Sequence, residues 1–248
     1  MLSSTADRTP RLNALLLGNS RNEGSTFLEH AEAEVAELFG STNKILVISY
    51  ANPPKSKAED RAHEYFARRA KEVVIAADSP TVASQLAECD GVFIQGGNTW
   101  RLLRHLYDNE LITPLRTRAH DGTPFLGTSA GSNVMCPTIG TTNDMPIAEV
   151  PSLSALDLIP FQINAHFVPS DLYIDNFTGE TRQQRLEEFA RETQKPVLAL
   201  PEGSGLWARG ATYTLVGPNE AVIFAPSGES LGVPPGPLSA AVVAILAG

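Results

Sequence analysis

The chain has 248 residues, 42% of them hydrophobic, and a formal net charge of -9 at pH 7. This apolar content can build a sizeable core, and without a low-complexity linker, charge block or internal repeat we expect one domain over residues 1–248. The spread of acidic residues argues against a nucleic-acid or anionic-membrane partner. No apolar run is long enough for a membrane span or a secretory signal, so we expect a soluble, cytoplasmic protein.

Cysteine and histidine spacing argues against metal chemistry. Cys89 and Cys136 have neither metal nor redox spacing, and we expect both to be ordinary buried residues. The five histidines lack the spacing of a zinc peptidase, so the sequence predicts no metal and no cofactor. These histidines are His30, His63, His105, His120 and His166.

Short runs rich in Leu, Ile and Val alternate with segments of helical periodicity. Because the runs are continuously apolar, they indicate a mostly parallel sheet covered by helices on both faces, with sites at the carboxyl ends of strands. The predicted strands are residues 12–17, 45–49, 73–76, 91–95, 124–126, 161–167 and 197–200. The first is followed by a predicted helix with the apolar stripe Phe27, Leu28, Ala31, Val35 and Leu38.

The C-terminal part of the sequence has a different pattern of apolar and turn residues. Residues 211–216 and 221–224, separated by Gly-Pro-Asn-Glu, predict a β-hairpin. The proline-rich stretch GVPPGPL then leads to a last short apolar helix.

The stretch GTSAG, residues 127–131, places Ser129 between two glycines where a strand ends and a helix begins. Glycines relieve the crowding of such a turn and leave the serine hydroxyl exposed at the sheet edge. A G-x-S-x-G string alone is weak evidence. A serine hydroxyl becomes a good nucleophile only when a neighbouring base takes its proton, so the chain must also supply a histidine.

His166 is the candidate base, because it lies near the end of the predicted strand 161–167. The alternative is a core histidine that satisfies a hydrogen bond. Glu202 follows the apolar run 197–200 and could orient that base, although it could also be an acidic turn residue. The order Ser129, His166, Glu202 differs from that of α/β-hydrolases, in which the acid precedes the histidine.

Five segments together resemble peptidase E, the α-aspartyl dipeptidase family of serine peptidases. They are GGNTWRLL, GTSAGSNVMCPTIGTTNDMPI, ALDLIPFQINAHF, GETRQQR and LALPEG, in order over about residues 90–205. The block over residues 127–147 is highly specific. The resemblance implies a three-layer α/β/α sandwich like the class I glutamine amidotransferases (flavodoxin-like). It also implies cleavage of dipeptides with an N-terminal aspartate by Ser129, His166 and Glu202 as nucleophile, base and acid.

Backbone N–H groups in glycine turns can stabilise a developing oxyanion, and the residue after an elbow nucleophile usually supplies one of them. We therefore assign Ala130 and Gly97 to the oxyanion hole. The assignment rests on this physical argument and on the family resemblance. The alternative for the Gly96-Gly97 pair is a plain tight turn.

Recognition of an aspartyl side chain by an acidic protein requires a local cation, and Arg182 is our candidate. Thr181 and Gln184 predict a capping box that places Arg182 in the first helical turn, where the macrodipole disfavours a cation. A guanidinium there could hold a carboxylate through two hydrogen bonds. The alternative is a solvated arginine paired with Glu180 or Glu187.

The resemblance also places several polar residues at the pocket, with Asp144 holding the substrate amino group. These residues are Asn98, Thr141, Thr142, Asn143 and Asp144. Thr128, Ser132 and Ala165 depart from the residues expected of the family, and the loop before Arg182 is longer than usual. The departures bear on the reach of Arg182 and on the strictness for aspartate.

The sequence thus predicts a serine dipeptidase that acts on a small peptide substrate, and it leaves a homodimer open. One alternative is a related peptidase that accepts longer peptides and resembles cyanophycinase. Another is a non-catalytic binding module on the same scaffold.

Overall fold

The computed structural model describes residues 11–54, 56–70, 72–169 and 179–248. Its strands are β1 (Asn13–Leu17), β2 (Lys44–Ile48), β3 (Glu72–Ile75), β4 (Gly91–Ile94), β5 (Pro124–Thr128), β6 (Gln162–Phe167), β7 (Val197–Pro201), β8 (Gly205–Arg209), β9 (Thr212–Val216), β10 (Ala221–Phe224), β11 (Ser230–Val233) and β12 (Gly236–Pro237). Its helices are α1 (Glu32–Leu38), α2 (Lys57–Phe66), α3 (Val82–Glu88), α4 (Thr99–Asp108), α5 (Ile112–His120), α6 (Ala130–Asn133), α7 (Arg182–Thr193) and α8 (Ala240–Ala247).

The main sheet has eight strands in the order β12-β9-β8-β1-β5-β4-β2-β3. The five strands from β1 to β3 are parallel, and β8, β9 and β12 extend the sheet antiparallel. The predicted runs became strands because each is apolar on both faces, as a sheet between two helical layers requires. The carboxyl ends of β1, β5 and β4 therefore meet at one edge.

Alternate residues of the parallel strands pack into two different cores. Leu15 and Phe93 pack with the residues of α1 and α2 on one face. Leu16 and Ile94 pack with those of α3 to α6 on the other face. This arrangement is the predicted three-layer α/β/α sandwich, with the central sheet mostly parallel.

A second sheet has the order β11-β10-β7-β6, in which β6 and β7 are parallel. One of its faces packs into the same core as α4 to α6, through residues such as Ile163 and Leu198. Its other face packs on α7 through Phe167 and Leu186. Two predicted strands, β6 and β7, thus lie outside the main sheet, but their carboxyl ends still reach its edge.

The C-terminal part contains β-hairpins, but the predicted pairing of 211–216 with 221–224 is wrong. β9 pairs with β8 in the main sheet, whereas β10 pairs with β7 and β11 in the second sheet. The turn between β9 and β10 crosses from one sheet to the other. Local patterning could not reveal this, because a half-buried strand looks alike whichever strand it pairs with.

The helix after β1 is shorter than its apolar stripe. Leu28 has φ +58°, a single 3₁₀ turn follows at Glu29–Ala31, and α1 begins at Glu32. The last helix and the burial of Cys89 and Cys136 were predicted correctly. No helix in the described parts of the chain is long and apolar enough to span a bilayer.

Candidate active site

Ser129 occupies a strained turn between β5 and α6. Its backbone has φ +52° and ψ -113°, and its N–H donates to the carbonyl of Leu17 at 3.0 Å. A non-glycine residue in a sparsely populated backbone region lowers the stability of the folded state by about 1–3 kcal/mol. This tight turn holds the serine side chain at the carboxyl edge of the main sheet.

The glycines on both sides of Ser129 permit the turn by close packing. A Cβ atom on Gly127 would lie 2.8 Å from the backbone of Gly131. A Cβ atom on Gly131 would overlap the carbonyl oxygen of Ile94. Both positions therefore exclude a side chain, as the sequence pattern predicts.

The hydroxyl groups of Ser132 and Thr128 hold this turn together. The Ser132 hydroxyl donates to the Leu17 carbonyl at 2.7 Å, which ties α6 to β1. The Thr128 hydroxyl accepts the N–H of Gly96 at 3.0 Å, which ties β5 to the turn after β4. These two hydrogen bonds brace the scaffold beneath Ser129.

His166 lies between Ser129 and Glu202. Its Nε2 atom is 2.8 Å from the Ser129 Oγ, and its Nδ1 atom is 2.6 Å from a carboxylate oxygen of Glu202. The β6–β7 register shifts between Asn164 and Phe167, and His166 itself has φ +56°. Such a bulge re-aims a side chain at a strand end, so the three predicted residues come into one hydrogen-bonded chain.

Glu202 is held by the loop around it. The N–H of Gly203 donates to Asn19 Oδ1 at 2.9 Å, and Asn219 Nδ2 donates to the Glu202 carbonyl at 2.8 Å. The side chains of His166 and Glu202 are 43% and 53% exposed, so this pair is open to solvent. Asn219 belongs to the turn that crosses between the two sheets, and that turn thus braces the backbone of Glu202.

Of the two predicted oxyanion donors, Ala130 directly follows Ser129, and Gly97 lines a compartment together with Ser129. Gly97 has φ +147°, and a Cβ atom there would lie 2.6 Å from the Ala51 carbonyl oxygen. Within the described parts of the chain, neither the Gly97 nor the Ala130 N–H has an acceptor. Both groups are thus available to a substrate oxygen.

Asp144 accepts hydrogen bonds from the first residue of α4. Its Oδ2 accepts the N–H and the hydroxyl of Thr99 at 2.7 and 2.6 Å, and the Thr142 hydroxyl at 3.3 Å. No described residue donates to its Oδ1. One oxygen therefore serves the fold, and the other can reach the cavity that Asp144 lines.

The other predicted pocket residues divide into two groups. Thr142 and Asn143 line a cavity beside Ser129. Asn98 caps α4 by accepting the Arg101 N–H at 3.0 Å and donates to the Met145 carbonyl. Thr141 is buried and turned away from the cavity, because its hydroxyl donates to the Ile163 carbonyl at 2.5 Å.

Arg182 is the first residue of α7, and the capping box between Thr181 and Gln184 is present as predicted. Arg182 Nη1 donates to the His166 carbonyl oxygen, and the arginine lines the cavity beside Ser129. Its hydrogen bond therefore stabilises the strained backbone of His166, and its guanidinium places a positive charge at the cavity. Most of the long loop before it, residues 170–178, lies outside the described residues.

Two compartments flank Ser129, and both are lined by Ser129, Asp144 and His166. One has a volume of about 220 Å³ and contains Arg182 and Asn143. The other has a volume of about 330 Å³ and is lined by the Gly96-Gly97 turn. Across the described residues, histidine, cysteine and acidic side chains form no cluster of three that could hold a metal ion.

Our sequence reasoning missed three residues. Asn19 and Asn52 lie two and four residues after the ends of β1 and β2, and they brace the turns of Gly203 and Gly96. Their positions after strand ends could have revealed them. His30 was considered for metal spacing, yet both of its ring nitrogens are buried and have no partner among the described residues. Burial lowers the His30 pKa, which the Glu202 charge raises in part.

Comparison with known proteins identifies the family. The profile of peptidase family S51 matches residues 14–216. A peptidase E of Shewanella denitrificans is 38% identical over 216 residues, covering 86% of this chain and 91% of that protein. A peptidase E of Shewanella putrefaciens is 39% identical over 228 residues, covering 91% and 96%.

Solved structures share the fold at lower identity. A chain from Listeria monocytogenes EGD-e has a TM-score of 0.61 and 17% identity, covering 83% of this chain and 98% of that one. A peptidase from an acI-B1 Actinobacterium has a TM-score of 0.57 and 16% identity, covering 90% and 96%. The family match spans most of the residues that build the fold and includes Ser129, His166 and Glu202. The chain therefore belongs to peptidase family S51.

Proposed function

We propose that the protein is a serine peptidase that hydrolyses dipeptides with an N-terminal aspartate. The observation that carries the proposal is the His166 ring, whose two nitrogens lie 2.8 Å from the Ser129 hydroxyl and 2.6 Å from the Glu202 carboxylate. Nucleophile, base and orienting acid in direct contact are the arrangement that activates a serine.

The reaction follows from these contacts. Ser129 Oγ attacks the peptide carbonyl while His166 Nε2 takes its proton, and Glu202 stabilises the imidazolium through Nδ1–H. The N–H groups of Gly97 and Ala130 hold the oxyanion. His166 then protonates the leaving amine, and the C–N bond breaks to leave an acyl-enzyme. A water molecule, deprotonated by His166, hydrolyses the ester and restores the serine.

Aspartate specificity is supported by Arg182, which lines the smaller compartment beside Ser129. A guanidinium there can pair with the β-carboxylate of an N-terminal aspartate. Asp144 lines the same compartment, and its Oδ1, to which no described residue donates, can accept the substrate ammonium.

The test is hydrolysis of Asp-Ala, Asp-Leu, Ala-Ala and Asp-Ala-Ala by purified wild type and variants. We expect Ser129→Ala to lose several orders of magnitude in kcat. Arg182→Gln should lose the preference for Asp-Ala over Ala-Ala. Arg185→Gln is the matched control, because Arg185 lies on the same helix, 69% exposed and near Glu180.

Four results would contradict the proposal. Near-normal turnover by Ser129→Ala would exclude it as nucleophile, and an unchanged aspartyl preference in Arg182→Gln would exclude the arginine as its cause. Faster hydrolysis of Asp-Ala-Ala than of Asp-Ala would favour a peptidase for longer chains. Wild type without activity and without fluorophosphonate labelling of Ser129 would indicate a binding protein.

A further inference from the structure

The larger compartment beside Ser129 carries its own cation, Arg61. This compartment, about 330 Å³ in volume, is lined by Gly97 and Ser129 and also by Phe27, Ala58 and Arg61. Its volume lies within the range of small-molecule sites, about 300–1,000 Å³. Each side of Ser129 thus has one arginine, Arg182 in the smaller compartment and Arg61 in the larger.

The position of Arg61 is set by helix α2. Ala58 and Arg61 are three residues apart and therefore share one face of the helix, which faces the cleft. Gln95 Nε2 donates to the Ala58 carbonyl at 2.7 Å, and Gln95 is the residue before the Gly96-Gly97 turn. This bond fixes the start of α2 against the turn that presents the Gly97 N–H.

The charge of Arg61 is not used by the fold. In the described parts of the chain, its guanidinium makes no hydrogen bond and no ion pair, although other arginines such as Arg69 and Arg104 are paired with acidic side chains. A cation that lies beside a reactive serine and is paired with none of the described residues fits an anionic group of the substrate.

We propose that the larger compartment binds the leaving residue of the dipeptide and that Arg61 pairs with its free α-carboxylate. This inference rests on the proposed function, in which Arg182 takes the aspartyl side chain. Once the smaller compartment holds the aspartyl residue, the leaving residue must occupy the other side of Ser129. Only the amide nitrogen and one Cα separate its carboxylate from the scissile carbonyl, so both fit one compartment.

This pairing gives a physical reason for preferring dipeptides. In a longer peptide or an amide, the group that reaches Arg61 is a neutral carbonyl rather than a carboxylate. The loss of one charge-assisted hydrogen-bonded pair corresponds to roughly 10- to 100-fold in binding. Phe27, in the same compartment, offers an apolar surface to the side chain of the leaving residue.

The experiment compares kcat/KM for Asp-Ala and for Asp-Ala amide, which differ only at the terminal carboxylate. We expect wild type to favour Asp-Ala by roughly 10- to 100-fold. Arg61→Gln should bring this ratio close to one, mainly through a higher KM for Asp-Ala. Arg61→Lys should keep part of the ratio, because lysine retains the charge without the bidentate geometry.

Arg68→Gln is the matched control, because it removes the same charge from an exposed arginine just after α2. It should leave the ratio at the wild-type value. Arg182→Gln should lose the preference for Asp-Ala over Ala-Ala while keeping the preference for Asp-Ala over its amide. Thermal unfolding of each variant checks that the fold is retained.

The outcomes separate this inference from the function on which it rests. A wild type that cleaves Asp-Ala and its amide equally well would overturn the role of Arg61 and leave the dipeptidase intact. The role of Arg61 would also be overturned if Arg61→Gln and Arg68→Gln had the same ratio of kcat/KM for Asp-Ala to kcat/KM for its amide. Asp-Ala hydrolysis that survives Ser129→Ala would instead refute the proposed function, and the inference with it.

Discussion

The carboxylate of Asp144 binds the first residue of α4, Thr99, through both its backbone N–H and its hydroxyl. These contacts, at 2.7 and 2.6 Å, place a negative charge at the positive end of the helix. Asn98 caps the same helix from the preceding position. Asp144, assigned by resemblance to the substrate, therefore also stabilises the fold.

Replacement of Asp144 should separate the two roles. Asp144→Ala removes every acceptor of Thr99 and should lower the free energy of unfolding by about 2 kcal/mol. Asp144→Asn keeps an acceptor oxygen but loses the charge, so it should cost about 1 kcal/mol. Urea unfolding measures the loss of stability in both variants. Thr142→Val should lower the free energy of unfolding by less than either Asp144 variant does.

If Asp144 also binds the substrate ammonium, Asp144→Asn should raise KM for Asp-Ala roughly tenfold while the enzyme stays folded. An unchanged KM in a stably folded Asp144→Asn enzyme would restrict this residue to capping.

The backbone of Ser129 stores strain that a glycine would release. At φ +52° and ψ -113° a Cβ atom is unfavourable, and glycine adopts such conformations readily. We expect Ser129→Gly to be more stable than Ser129→Ala by about 1–2 kcal/mol, with both variants inactive. Chemical denaturation of the two variants measures the difference, and equal stabilities would show that the turn is relaxed.

Gly131 should tolerate no side chain. A Cβ atom there would overlap the Ile94 carbonyl, and the backbones of α6 and β4 would have to separate. Gly131→Ala should therefore lower the free energy of unfolding by about 3 kcal/mol. Gly24→Ala is the control, because no atom lies within 4 Å of the added carbon and only the positive φ of Gly24, 73°, opposes the change. It should cost only about 1 kcal/mol, and equal losses for the two variants would contradict the packing argument.

His30 should make stability depend on pH. Burial lowers the pKa of His30, with a smaller opposing effect of Glu202, so the native protein binds fewer protons there than the unfolded chain does. The stability contributed by neutral His30 is present above the unfolded histidine pKa of about 6.5 and decreases as the pH falls below it.

The measurement is the free energy of unfolding in urea on both sides of that pKa. His30→Gln, which does not titrate, should lose less stability on acidification than wild type does. His63→Gln, at an exposed position of α2, should lose as much as wild type. A steeper acid loss in His30→Gln than in wild type would reverse the sign of the argument.

The sequence by itself determined nine of the twelve described strands, all except β8, β11 and β12, together with the serine turn and the three residues in contact. Continuous apolar runs such as 91–95 and 197–200 became buried strands, because burial on both faces leaves the same signature in any parallel sheet. Ser129, His166 and Glu202 were each identified from a strand end. Glycine spacing was equally informative at Gly127 and Gly131, where the backbone geometry excludes a Cβ atom.

Tertiary structure alone decided which strands pair and which groups the loop side chains contact. Strand β9 joins β8 rather than β10, since hydrogen bonds between strands depend on neighbours distant in the chain. The Thr141 hydroxyl bonds to β6, and Asp144 Oδ2 bonds to the start of α4, because loop side chains bond whichever groups the fold brings close. Arg61 lies about seventy residues before Ser129 in the sequence, and only the packing of α2 against the turn after β4 places it in the cleft.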